Sequence, residues 1–215
     1  MIQTIATESL DKEKENGFIN LASDFVNSAK NKTGFVIKSF FNSSITWEEI
    51  VNLIHHNSKI QNEQLKKDVE KTNSKSSNIK EVVSGNVLIV DDLYFSVDLQ
   101  KQENGFVPKD VLDIHDGIHS YNGPNQFMSG SGLIKVSIGS RFVTPHVDKW
   151  GAMVFQLTGQ AVWTLSYPES KYEESFTLNP GDFLYFPDGM YHAIVSNSAR
   201  SSIITPLTVA SYVNN

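Results

Sequence analysis

The chain has 215 residues, 40% hydrophobic and 11% aromatic, the composition of one folded domain with an elaborated end rather than of a disordered chain. A formal net charge of −6 and the lack of any basic block exclude a phosphate-tracking surface, so no nucleic-acid partner is expected. There is no cysteine, which removes disulfides, thiolate metal sites and a cysteine nucleophile, so any metal must sit among imidazoles, carboxylates and water.

The opening residues, MIQTIATESLDKEKENG, hold no apolar targeting core, and no run reaches the length of a membrane span. A soluble, cytoplasmic protein without a membrane partner is the expectation. Residues 17–30 carry Phe18, Leu21, Ala22, Phe25 and Ala29 at helical spacing. GFVIKSFF (34–41) reads as a short buried strand. A second helix follows, with Thr46 as N-cap, Glu49 closing a capping box, and Trp47, Ile50, Val51 and Ile54 on one face. His55 and His56 end it, where cations suit the helix dipole, and no chemistry is assigned to them. The polar stretch 57–81 reads as a solvated helix plus a loop.

From residue 86 the texture changes. NVLIVDDLYFSVDL suggests one or two strands, and HDGIHSYNGPNQFMSGSG a long loop. His115, Asp116 and His119 fall in that loop, as pocket rim or plain surface. GSGLIKVSIGS is no phosphate loop, because no Gly-Lys-Ser/Thr follows. The runs LIKVSIG, AMVFQLT, AVWTLS, SFTL, DFLYF, YHAIV and SSIITPLTV, several of them separated by Gly, Pro, Asn and Ser turns, predict an antiparallel sandwich or small barrel. The expected organisation is an N-terminal elaboration over 1–85, packed on a barrel domain over 86–215.

TPHVDKWG (144–151) places His146 and Asp148 two positions apart. On a strand, residues i and i+2 face the same way, so both side chains would enter one interior. The H-x-D pattern alone is weak, since a strand histidine is commonly a hydrogen-bonded core residue. His192, 46 residues later on another strand-like run, adds a third donor that a small barrel can bring alongside. Two histidines and a carboxylate form the facial triad of non-haem Fe(II), and would also bind zinc, manganese or nickel.

These residues resemble the JmjC-type, cupin-like oxygenases that use iron and 2-oxoglutarate, in the branch of ribosomal-protein hydroxylases and the asparaginyl hydroxylase of hypoxia signalling. The P-H-x-D segment is matched by Pro145, His146 and Asp148, and Q-L-x-G-x-x-x-W by Gln156, Leu157, Gly159 and Trp163. P-G-D-x-L-Y-F-P-x-G-x-x-H is matched from Pro180 to His192. The likeness covers about 140–192, with a weaker echo at 34–54. It implies a mainly β double-stranded β-helix (cupin or jelly roll) with N-terminal helices. It also implies Fe(II) on His146, Asp148 and His192 as the only catalytic groups, and 2-oxoglutarate as cosubstrate.

One position departs from the family. Ala161 stands where relatives carry a lysine or arginine for the distal carboxylate of 2-oxoglutarate. Arg200 and Ser202 resemble the R-x-S pair that other 2-oxoglutarate oxygenases place on the strand after their second histidine, and arginine's fork matches a carboxylate. A solvated turn arginine is the competing reading, and Arg141 and Lys135 are lesser candidates. Thr144 joins the cosubstrate set, while Trp150, which shares the parity of His146, and Tyr121 are candidate substrate contacts. Tyr191 should point away from the interior.

The implied activity is oxidation, usually hydroxylation, of an unactivated C–H bond in an amino acid, a peptide or protein side chain, or a natural-product intermediate. Only 23 residues follow His192, fewer than in the substrate-holding C-terminal region of ribosomal-protein hydroxylases, so a small-molecule or peptide partner is expected. A metal-binding cupin without oxygenase activity, acting as a sensor or binding module, is the alternative from another class. A zinc or manganese isomerase or hydrolase on the same barrel is a third, for which no additional general base is evident.

Overall fold

A computed structural model describes residues 3–5, 17–52, 87–91, 94–98, 107–121, 126–130, 132–137, 139–167 and 173–210. Its frame is eight strands in two facing sheets: β6 (Leu133–Ser137), β7 (Arg141–Val147), β8 (Gly151–Thr158), β9 (Ala161–Ser166), β10 (Glu174–Leu178), β11 (Phe183–Phe186), β12 (Tyr191–Ser196) and β13 (Arg200–Ala210). The smaller sheet runs β10-β9-β12-β7. The larger one contains β11-β8-β13-β6 and is extended on one side by β2 (Phe35–Ile37) and β1 (Gln3–Ile5). On the other side it is extended by the hairpin β4 (Tyr94–Asp98) and β3 (Val87–Asp91), and β5 (Gln126–Ser129) pairs with the far end of β13. The pairings within the eight-strand frame are antiparallel. This is the double-stranded β-helix, and it has no membrane-crossing helix among the described residues.

Two separate cores follow from the two-residue period of the strands. Met153, Phe155 and Leu157 of β8, with Ile203 and Leu207 of β13, face outward and are covered by helices α1 (Gly17–Asn31) and α3 (Lys109–Ser120). Leu21 and Phe25 of α1 and Val111, Ile114 and Ile118 of α3 complete that layer. Between the sheets lie Ala152, Val154, Ala161, Trp163, Leu165, Leu184, Phe186 and Ile194. On β8 and β13 the barrel interior is therefore reached by Ala152, Val154, Gln156, Arg200, Ser202 and Ile204.

A third helix, α2, begins at 47 and is described to 52. The capping box forms as its sequence predicts: Thr46 Oγ1 accepts from the Glu49 N–H at 3.2 Å, and Glu49 Oε2 accepts from the Thr46 N–H at 2.7 Å. Ile50 is buried, whereas Val51 is 54% exposed and does not belong to the inward face. The N-terminal segment is tied to the barrel by Asp182, whose carboxylate accepts from Lys38 Nζ at 2.7 Å and from the backbone N–H groups of Ser39 and Asn179 at 3.0 and 2.8 Å. Gly181, at φ +90, makes this approach possible, because a Cβ there would meet the Phe41 carbonyl at 2.6 Å. The polar stretch 57–81, Ile54, the two histidines ending that helix, and the expected boundary at 85/86 lie outside the described residues.

The long loop expected around 115–132 is largely regular structure. Val111, Ile114 and Ile118 recur at helical spacing and bury against the large sheet, and this packing outweighs the local turn formers. His115 thus sits on α3, half-buried, with Nε2 hydrogen-bonded to Thr205 Oγ1 at 3.0 Å on the helix side of the sheet. Asp116 and His119 are exposed on the same helix.

Candidate metal centre

His192 lies on the inner face of β12, paired with Leu165 of β9 on one side and His146 of β7 on the other. It is 4% exposed, and its ring is wedged against Phe186 at 4.8 Å and stacked on Trp163 at 6.2 Å. The His146 ring is 4.2 Å from that of His192, and the Asp148 Oδ2 is 3.6 Å from His192 Nε2. One ligand atom from each of the three residues falls within 4.8 Å of the others.

Backbone carbonyls set both tautomers. A carbonyl can only accept, so His146 Nδ1–H donates to the Thr144 carbonyl at 2.9 Å and His192 Nδ1–H to the Met190 carbonyl at 3.3 Å. Each Nε2 is then left with its lone pair available, the state a metal requires. Burial and the neighbouring His146 push the His192 imidazole below its usual range, which favours the same neutral form. Two neutral imidazoles and one carboxylate are a donor set that fits a divalent first-row metal such as Fe(II).

The strand carrying His146 is not regular. Ile194 pairs with Val143 and His192 with His146, so Thr144 and Pro145 together oppose Ala193 in a bulge. Proline suits this place, since β7 is the edge of its sheet. The bulge turns the Thr144 side chain outward, and its part in the centre is the carbonyl that orients His146. β7 also ends at Val147, so Asp148 stands just beyond it and the parity argument does not extend to Trp150. Trp150 occupies the following turn, 44% exposed, rather than flooring the interior. Tyr121 is placed elsewhere too: its ring meets Phe127 at 4.9 Å and packs on the helix-side core. Tyr191 is 38% exposed and points outward.

Deeper in the barrel, Arg200 and Ser202 share the inner face of β13 and are both buried, Arg200 to 1% exposure. Arg200 Nη1 donates to Ser202 Oγ at 3.2 Å, Ser202 Oγ donates to Gln156 Oε1 at 2.8 Å, and Gln156 Nε2 donates to the Thr158 carbonyl at 2.8 Å. The chain of donors fixes the guanidinium in place. Lys135 of β6 pairs across from Ser202; burial lowers its ammonium pKa, and the charge of Asp148 opposes that shift. Gly159, at φ +62, lets the β8–β9 turn lie against β13, with only 3.0 Å between its absent Cβ and the Arg200 Cα. Arg200 therefore stands beside the start of β9, where Ala161 is buried with an apolar wall. Sequence reading missed the role of Gln156; a single amide within the otherwise apolar AMVFQL of a buried strand was the available signal.

Known proteins give the family. A profile described as the JmjC domain matches residues 104–214, more than half of the chain. The Dictyostelium discoideum protein named bifunctional lysine-specific demethylase and histidyl-hydroxylase NO66 is 31% identical over 105 residues, 40% of this chain and 20% of that protein. Ribosomal oxygenase 2 of Rattus norvegicus is 33% identical over 101 residues, 40% of this chain and 22% of that one. The chain thus spans about a fifth of the length of these curated relatives. Among solved structures, Escherichia coli ycfD superposes with a TM-score of 0.53 at 14% identity, covering 88% of this chain and 53% of that one, a likeness of fold. From the profile match over half its length, the chain belongs to the JmjC domain family.

Proposed function

We propose that the protein is an Fe(II)- and 2-oxoglutarate-dependent oxygenase that hydroxylates an unactivated C–H bond. The observation that carries this reading is the convergence of His146, Asp148 and His192 within 4.8 Å, both imidazoles presenting Nε2, on a barrel of the JmjC family. When bound, the iron and cosubstrate supply the oxidising chemistry of the family. The chain's own residues do the rest. Thr144 and Met190 orient the imidazoles through their carbonyls; Phe186 and Trp163 keep the His192 side dry. Arg200, oriented by Ser202 and Gln156, is assigned the distal carboxylate of 2-oxoglutarate in place of the basic residue replaced by Ala161. The tight approach of Gly159 to Arg200 supports this substitution of one strand's cation by another's.

The relatives named as a histidyl-hydroxylase and a ribosomal oxygenase support an amino-acid, peptide or protein side chain as substrate. Trp150, with Phe142, Val147 and Tyr191, offers exposed apolar surface on and beside β7, the strand bearing His146, for such a chain. Ala161 favours the alternative, a metal-binding cupin without oxygenase activity. Anaerobic addition of 2-oxoglutarate to the iron-loaded protein separates the two. An oxygenase develops the visible metal-to-ligand charge-transfer band and, on admission of oxygen, releases succinate; a binding module does neither.

A further inference from the structure

The wall around Ala161 holds two donors that the mechanism above does not use. Trp163 follows Ala161 on the inner face of β9, is 1% exposed, and its Nε1–H has no hydrogen-bond partner among the described residues. Ser196 follows His192 and Ile194 on the inner face of β12, is 3% exposed, and its hydroxyl is likewise unpartnered among those residues. The register pairs Val195 with Val162, so its continuation sets Ser196 beside Ala161. Arg200 lies only four residues beyond Ser196, across the short β12–β13 turn, with its Cα against Gly159. Two neutral donors and a guanidinium thus border one end of the barrel interior, on three different strands.

A buried indole N–H ordinarily finds an acceptor, and leaving a buried donor unmatched is costly. Among the described residues no acceptor reaches either the Trp163 indole or the Ser196 hydroxyl. What suits a wall of donors is a group that only accepts and offers several lone pairs, which describes a carboxylate. We propose that the Trp163 indole N–H and the Ser196 hydroxyl bind the distal carboxylate of the cosubstrate together with Arg200. This rests on the oxygenase reading and extends it. Where relatives place one lysine or arginine, this chain combines a guanidinium from the opposite sheet with two neutral donors, one from Ala161's own strand and one from the strand beside it. The pocket should therefore select a five-carbon dicarboxylate over a 2-oxo acid that lacks the distal charge.

The test uses the zinc-loaded, diamagnetic full chain, labelled with 15N on its three tryptophans, Trp47, Trp150 and Trp163. Addition of 2-oxoglutarate should move the Trp163 indole N–H resonance downfield and leave that of Trp47 in place; 2-oxopentanoate, which has no distal carboxylate, should not move it. Trp163→Phe keeps the ring and removes the donor, and should weaken 2-oxoglutarate binding by about tenfold or more, with Ser196→Ala losing about fivefold, in calorimetric titration. Both variants should bind 2-oxopentanoate within about twofold of wild type. If Trp163→Phe does not fold, the wild-type resonance and Ser196→Ala still decide. Binding of 2-oxoglutarate with no response at Trp163 or Ser196 overturns this inference and leaves the oxygenase reading standing. A Trp163 response to glutarate in a protein whose iron form shows no charge-transfer band and no turnover keeps these donors as a dicarboxylate site and removes the oxygenase. Failure to bind any dicarboxylate removes both.

Discussion

Strands β8 and β13 present two unlike faces to the two cores. On the helix side, Met153, Phe155, Leu157, Ile203 and Leu207 are each at most 1% exposed, and Phe155 meets the rings of Phe41 and of Phe183 on β11 at 6.1 and 5.0 Å. On the barrel side, the same strands carry Ala152 and Val154, then Gln156, Ser202 and Arg200. Burying a guanidinium and an amide costs free energy even where they are hydrogen-bonded to their neighbours, so this face contributes less to folding than the helix side does. The helix-side layer stabilises the sheet, and that surplus lets the inner face be chosen for binding.

The contrast can be broken most directly at the metal centre. Alanine at His146, Asp148 or His192 should abolish stoichiometric iron binding in an anaerobic titration. In the metal-free protein the melting midpoint of the His146 and Asp148 variants should move by no more than about 4 °C, because these two side chains are not buried, whereas the buried His192 ring costs more to remove. Iron binding at wild-type affinity in all three variants would remove the assignment. Phe155→Ala, on the other face of β8, should do the reverse: a loss of about 3–5 kcal/mol in urea unfolding. A loss below about 1 kcal/mol would show that stability is not concentrated on the helix side.

Arg200→Ala should raise the KM for 2-oxoglutarate about tenfold to a thousandfold, since a two-point contact to a buried carboxylate is removed. Arg200→Lys should recover part of this, because an ammonium cannot reproduce the fork. An unchanged KM would move the role to Lys135 or Arg141. In the metal-free protein, Arg200→Met should be as stable as wild type or more so, as expected where an apolar isostere replaces a buried charge.

The smallest expected effect is on pH. Burial lowers the imidazole pKa of His115 and of His192 from the ordinary 6.5. The unfolded chain then takes up protons first, so stability should fall as pH drops below about 6.5 and level off below the folded values. His115→Gln should flatten part of that slope in unfolding experiments between about pH 4.5 and 7.5, with the remainder tracking the metal centre. A slope unaltered in His115→Gln would mean that its bond to Thr205 tolerates the charged ring.

Much of the barrel was legible in the sequence, because short apolar runs between turn formers report strands wherever packing is two-sided. The metal residues stood out through their spacing and context. Helix α3 did not, since Gly117, Ser120 and Asp116 look like loop and only the burial of Val111, Ile114 and Ile118 overrides them. The bulge at Thr144 and Pro145 was hidden as well. A two-residue period assumes a regular strand, and one inserted residue moved Thr144 outward, while the end of β7 at Val147 left Trp150 in the turn. For Arg200, the sequence offered two faces with equal right. The hydrogen bonds to Ser202 and on to Gln156 select the inner one.

The pairing of β2 with β11 has a consequence for how this protein can be cut. β11 is bonded to β8 on one edge and to β2 on the other, and its residues are Phe183, Leu184, Tyr185 and Phe186. A fragment beginning at residue 86 would bare that second edge along a wholly apolar strand, and would strip Lys38 and Ser39 from the Asp182 carboxylate. An exposed, flat, hydrophobic edge is a template for pairing with another molecule. Such a truncation would collect in inclusion bodies, and the shortest autonomous unit has to begin ahead of Phe35.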